Sequence, residues 1–211
     1  MKYSGIWIPY GRFRKPMAKV LRRWIAYHKR YYVEMLADSG DVTYWYDERT
    51  HVGIFASAIW AAGGLALEEY GDEKRSRINK DGPENGRVDL YFKVGKLECI
   101  AEAKRRALPS TLRASKLAVA AKMAAWVKEA RNDARKCPPD ARRMGLVFIR
   151  PWVNASKQGP LRLRKHIELL VEAARRTKPA FVAWHFDRSP ASYEKTYWPG
   201  IMVIGNVLRR S

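Results

Sequence analysis

The chain has 211 residues, 47% of them hydrophobic, which suffices for one domain with a real core and argues against global disorder. It carries 41 Lys and Arg against 21 Asp and Glu, a net charge of +20, the footprint of a protein whose partner is a polyanion. No apolar run reaches the roughly 18 residues of a membrane span, and the N-terminal MKYSGIWIPYGRFRK lacks the apolar centre of a signal peptide.

Only two cysteines occur, Cys99 and Cys137, too few for a disulfide framework or a zinc site, so a reducing cytoplasm is expected. The charge is unevenly spread. Residues 1–45 hold 9 basic and 3 acidic side chains, 105–178 hold 19 and 5, and 46–104 hold 9 and 11. Acids are therefore concentrated in one stretch with bases on both sides. A generally basic surface, as on a ribosome- or membrane-associated protein, is the plainer reading of the same sum.

Residues 1–15 read as irregular or as a short strand. Pro16 suits a first helical position, and apolar residues recur at Val20, Leu21, Trp24, Ile25, Tyr31, Tyr32, Met35 and Leu36. A helix ending near Gly40 follows, with Lys19, Arg22, Arg23, Lys29 and Arg30 largely off its apolar stripe. Its aromatics, Trp24, Tyr27, Tyr31 and Tyr32, are either core or a surface on which bases stack. Residues 1–45 thus form a basic, aromatic N-terminal helical extension, and 46–211 the main domain.

Asp47 is a fitting N-cap for a helix running to Ala62 and stopped by Gly63-Gly64. Glu48, Val52, Phe55 and Ile59 share one face of it. An acid heading an apolar stripe is costly unless paired or bound to metal, although a first-turn glutamate also suits the helix dipole. Leu65 to Tyr70 reads as a strand entering Glu68-Glu69, one of which must face away from the other. Residues 71–86 have loop chemistry.

Val88–Val94, a turn at Gly95-Lys96 and Leu97–Ala103 form a β-hairpin. In its second strand Glu98, Ile100, Glu102 and Lys104 share one face, and the small apolar Cys99, Ala101 and Ala103 the other, suited to packing under a helix. Asp89 interrupts an apolar run. Asp89, Glu102 and Lys104 could converge near the end of this unit. Two close carboxylates repel, a conflict that a hard divalent cation such as Mg²⁺ removes. A surface hairpin with an ordinary cross-strand ion pair is the bland alternative.

An alanine-rich helix from about Thr111 to Lys136 ends at Pro138-Pro139. Next come a strand, Gly145–Arg150, a basic loop from Trp152 to Arg164, a helix from about Leu163 to Thr177, and strands Phe181–Phe186 and Ile201–Leu208. His28, His51, His166 and His185 show no metal-ligand spacing, and a packed or solvated His51 is expected. No GxxxxGK[ST] loop, GxGxxG loop or GxSxG elbow occurs, which argues against an autonomous ATPase or an elbow hydrolase.

Asp89 followed by Glu102-Ala103-Lys104, on strands and preceded by YDERTHVGIFASAIWAAGGLALEEY, resembles the PD-(D/E)XK nuclease superfamily. Val88 stands where that signature carries proline. The resemblance covers roughly residues 46–150. It implies an α/β fold with a restriction-endonuclease-like core of helix, three-strand meander, helix and strand. The N-terminal basic helix and a C-terminal helix-strand extension would flank that core. It further implies phosphodiester hydrolysis with Mg²⁺ or Mn²⁺ held by Asp89, Glu102, the Ala103 carbonyl and Glu48. Lys104 would position a water or stabilise negative charge, with Glu98 as an outer or surface residue. Arg87, Arg105, Arg106, Lys19, Arg22 and Arg23 are the expected nucleic-acid contacts. DNA is the commoner target in the superfamily, a homodimer is compatible with it, and no membrane is involved. Some members bind nucleic acid or assemble without cleaving, which is the rival expectation.

Overall fold

The computed structural model describes residues 2–9, 14–75, 83–109, 115–154, 160–193 and 196–208. The strands are β1 (Ser4–Trp7), β2 (Leu65–Arg75), β3 (Pro83–Val94), β4 (Leu97–Pro109), β5 (Arg142–Asn154), β6 (Phe181–Tyr193) and β7 (Thr196–Val207). The helices are α1 (Arg14–Ser39), α2 (Glu48–Ala61), α3 (Lys116–Ala134) and α4 (Pro160–Arg176), with a short 3-10 turn at Thr43–Trp45. All seven strands join one mixed sheet in the order β1-β6-β7-β5-β4-β3-β2, in which only β4 and β5 run parallel. Helix α3 makes the crossover between those two, as a parallel pair requires.

The protein is α/β, with helices on both faces of the sheet. On one face Val20, Leu21 and Trp24 of α1 and Val52, Phe55 and Ile59 of α2 pack on Leu90, Phe92, Cys99, Ala101, Ala103 and Phe148. On the other, Met123 and Val127 of α3 and Ile167 and Val171 of α4 pack on Val147, Ile149, Val182 and Met202. The elements of residues 1–45, expected as an extension, pack against the rest of the chain. Strand β1 hydrogen-bonds to β6, and the apolar side of α1 belongs to the same core as α2.

Local chemistry sets the boundaries of α2. The Asp47 side chain accepts from the Thr50 amide at 3.0 Å. At the far end Gly63 takes φ 81°, its amide donates to Trp60 O, and that of Gly64 to Ile59 O, both at 2.9 Å. A Cβ on Gly64 would sit 2.6 Å from the Lys93 carbonyl oxygen, so this cap also lets the helix settle on β3. Gly95, at φ 58°, turns β3 into β4.

The strands are longer than expected. Parts of the expected 71–86 loop are strand, since β2 continues to Arg75 and β3 begins at Pro83; residues 76–82 lie outside the described residues. The expected basic loop from Trp152 to Arg164 shortens at both ends, with β5 running to Asn154 and α4 starting at Pro160. The start expected for the alanine-rich helix at Thr111 also lies outside the described residues, and α3 begins at Lys116 behind a Ser115 cap. Helix α3 lies very close to the sheet at Gly145, where a Cβ would meet the Arg131 backbone nitrogen at 2.8 Å. Both cysteines are buried thiols outside any disulfide among the described residues. Among the described residues, no helix is long and apolar enough to cross a membrane.

Candidate acidic site at the strand fork

Strands β3 and β4 pair from Val94–Leu97 up to Leu90–Ala101, and then part. Beyond that point β3 continues against β2, and β4 continues against β5. A gap between diverging strands leaves backbone amides without ladder partners, and each buried one must be satisfied. Two carboxylates do this. Asp89 Oδ2 accepts from the Ala103 amide at 2.7 Å, and Glu48 Oε2 from the Arg105 amide at 2.5 Å. The N–H and C=O of one strand residue leave on the same side, so the Ala103 carbonyl opens into the same fork.

Two local features deliver the acids. Glu48 opens α2, whose capped start faces the fork. Asp89 marks a break in strand alternation. Val88 packs with Ile100 and Cys137 on the α3 face, whereas Leu90 packs on the α1/α2 face. Opposite Asp89 on β2, Glu69 sits at φ 47°, a conformation that L-residues seldom adopt. Glu68 and Glu69 therefore both line a cleft of about 320 Å³ together with Glu48, Val52 and Asp89. The expectation that one of the two must face away rested on unbroken alternation, and the positive φ of Glu69 removes that premise. Glu69 is taken up by Arg49 and by Arg87, the latter at 2.9 Å.

Lys104 projects from β4 on the α3 face and pairs with Asp133 at 3.1 Å. Burial opposes its charge, but Asp133, with Glu48 and Asp89 behind it, outweighs burial and holds its pKa above the ordinary lysine value. Glu48 is half-buried. Burial pushes its carboxyl up, the Arg105 amide and Lys104 pull it down, Asp89 pushes it up again, and the net shift is upward. Asp89, Glu48 and Lys104 thus form one electrostatic group assembled from three elements.

Glu102 does not join the cleft. It faces α3, is 5% exposed, and its Oε1 lies 3.4 Å from Cys137 Sγ. The physical reason is the pleat: Ala101 and Ala103 fill the α1/α2 core, which sends residue 102 to the opposite face. Among the described residues, no group of three His, Cys, Asp or Glu side chains is arranged to hold a metal ion.

Of the expected nucleic-acid contacts, Lys19, Arg22 and Arg23 are exposed on α1. Arg87 is bound to Glu69, Arg106 to Glu129 at 2.5 Å, and Arg105 reaches the Trp45 carbonyl at 3.4 Å. These three are held by the protein's own acceptors. Trp24 is fully buried and edge-on to His28, so it is core and offers no face to a base. His51 is buried too, stacked on Phe148 at 5.5 Å.

Two nearby residues were not among those expected from the sequence. Arg150 ends the apolar run of β5, is 9% exposed, and donates to the Tyr44 and Trp45 carbonyls at 3.0 Å while covering the Trp198 ring at 4.4 Å. Burial and the neighbouring Arg105 bring its pKa down to about 10. Asp133, the penultimate residue of α3, is the other. A charge closing an apolar strand was a readable hint for Arg150; nothing local pairs Asp133 with Lys104.

No protein-family model, curated protein or solved structure matches the chain.

Proposed function

We propose that this protein is a metal-dependent nuclease that hydrolyses phosphodiester bonds of nucleic acid, with DNA as the favoured target. The observation that carries the reading is the meeting of Asp89 and Glu48, 41 positions apart in sequence, at one strand fork within electrostatic reach of Lys104. The order α2-β2-β3-β4-α3-β5, with β5 parallel to β4, supports it further, because it is the order of a restriction-endonuclease-like core.

The donors suit a hard divalent cation. Asp89 Oδ1, Glu48 Oε1 and the Ala103 carbonyl are all oxygens, and the upward pull on Glu48 is the strain that a cation relieves. Those three groups would hold Mg²⁺ or Mn²⁺, which when bound polarises a phosphate and makes a water acidic. Lys104, kept charged by its acidic neighbours, stabilises negative charge developing on the phosphate oxygens. The Arg105 and Ala103 amides fix the two carboxylates so that little reorganisation is needed.

The test is cleavage of plasmid, linear and single-stranded DNA in Mg²⁺ or Mn²⁺ by the wild type beside Asp89→Ala and Lys104→Ala. Cleavage lost in both variants supports the proposal; equal cleavage by all three overturns it.

The second reading, a nucleic-acid-binding or assembly protein that does not cleave, is favoured by Glu102 facing Cys137 and Lys104 being tied to Asp133. Binding without cleavage under either metal selects it.

A further inference from the structure

At the β1 edge of the sheet a cavity of about 630 Å³ is lined by Lys2, Lys29, Arg164 and Arg188, with Tyr3 and His185 among its walls. The four cations come from four different elements or segments: the N-terminal residues, α1, α4 and β6. Among the described residues none of them has a carboxylate partner. The guanidinium groups of Arg164 and Arg188 lie 5.6 Å and 5.8 Å from the centre of the Tyr3 ring, which holds them in place without neutralising them. The one acid in the lining, Asp187, is 5% exposed and already engaged. It accepts from the Tyr44 hydroxyl at 3.1 Å and lies 3.0 Å from His185 Nε2. Ser4 Oγ holds the other ring nitrogen of His185 at 2.7 Å, so this ring of the cavity wall is held from both sides.

Four like charges around one concavity repel, and a low-dielectric wall strengthens that repulsion. An anion between them relieves that repulsion. The position of the cavity says which anion. Arg106, Ile149, Met202, Trp184 and Gly5 form one row across β4, β5, β7, β6 and β1, and Ser4 and His185 lie one residue beyond it. The cavity is therefore at the same end of the sheet as Lys104 and the acidic cleft. Four strand spacings of about 4.8 Å separate β4 from β1, roughly 19 Å along the sheet. A nucleic-acid strand repeats its charge about every 3.4 Å along a duplex, so that span covers about five or six nucleotides.

We propose that this cavity is a second, non-hydrolytic site that binds a backbone phosphate of a nucleic acid whose path crosses the sheet end to the acidic cleft. The path rests on the proposed function; the phosphate site itself rests only on the four cations.

The test is fluorescence anisotropy of a labelled 20-base-pair DNA duplex in EDTA, titrated with KCl. It compares the wild type, Lys29→Ala/Arg188→Ala, and Lys93→Ala/Lys96→Ala at the opposite end of the sheet. All four substituted side chains are exposed, and equal melting midpoints check the fold. The expected result is weaker binding by the first double variant, with the slope of log K against log[KCl] reduced by about 1.8, and a wild-type slope for the second. An unchanged slope in the first, or an equal loss in both, overturns the site. A reduced slope with no wild-type cleavage in Mg²⁺ upholds the cavity and removes the hydrolytic reading alone.

Discussion

Asp89 Oδ2 takes the Ala103 amide at 2.7 Å, so the carboxylate does the work of the strand that turned away. This gives Asp89 two separable roles. Asp89→Asn keeps an acceptor oxygen but loses the charge; it should melt within a few degrees of wild type and fail to bind Mn²⁺ in calorimetry. Asp89→Ala also orphans a buried amide, a loss of about 1–3 kcal/mol, or roughly 2–12 °C for a domain of this size. If Asp89→Asn binds Mn²⁺ as wild type does, the cleft is not a metal site.

Glu102 tests whether the ion is held on the α2 side of the sheet. Because its carboxyl is buried beside Cys137, Glu102→Gln should leave Mn²⁺ affinity within about twofold of wild type, well under the tenfold that corresponds to about 1.4 kcal/mol. A loss of binding equal to that of Asp89→Asn would show that Glu102 turns into the fork when the ion arrives.

Lys104 lowers the pKa of Glu48, which burial and Asp89 raise. A carboxylate must be ionised to ligate, so metal affinity increases as pH rises through the Glu48 pKa. Removing the ammonium moves that pKa further up. Lys104→Met should therefore shift the midpoint of Mn²⁺ binding to higher pH, as read by calorimetry at several pH values. A midpoint that stays or falls contradicts the electrostatic grouping.

Three buried histidines should contribute to the acid limb of stability. Burial, with Arg105 and Arg150 nearby, brings His51 down to about 3; burial also lowers His28 and His166. The folded pKa values lie below the unfolded value of about 6.5, so the unfolded chain binds more protons in acid. Their contribution is complete above about pH 6.5 and falls away as pH drops towards the folded values. Among the described residues neither ring nitrogen of His51 has a hydrogen-bond partner, and the ring stacks on Phe148. His51→Phe should keep the stacking, raise the melting midpoint at pH 7, and flatten its fall between pH 6.5 and 5. A midpoint lowered by the substitution would point to an unseen partner for the imidazole.

Much of the scaffold was legible because it follows from short-range chemistry. The Asp47 cap, the Gly63-Gly64 stop, the Gly95 turn and the alternation of Cys99, Ala101 and Ala103 under α2 each need only a few neighbouring residues. The strand ends were not legible. Polar runs such as residues 71–75 are strand because β3 lies beside them, and no property of the run announces a partner. The site was half legible for the same reason. Glu48, Asp89 and Lys104 could be nominated from residue type and spacing, and alternation along β4 placed Lys104 opposite Cys99, Ala101 and Ala103, yet the place of Asp89 and of Glu69 in the fork was not readable. Period 2 breaks where Glu69 turns to φ 47° and the strands divide, and only the folded sheet decides that.

Gly145 lies beside Glu102 in the β4–β5 ladder, and its missing methyl lets the backbone of Arg131 come within contact distance of the sheet. Two residues further along the same helix, Asp133 reaches the Lys104 ammonium. The depth to which α3 settles therefore regulates how firmly the acid grips its cation. Adding a single carbon in Gly145→Ala would lift the helix and loosen that grip while leaving every charged residue in the chain intact.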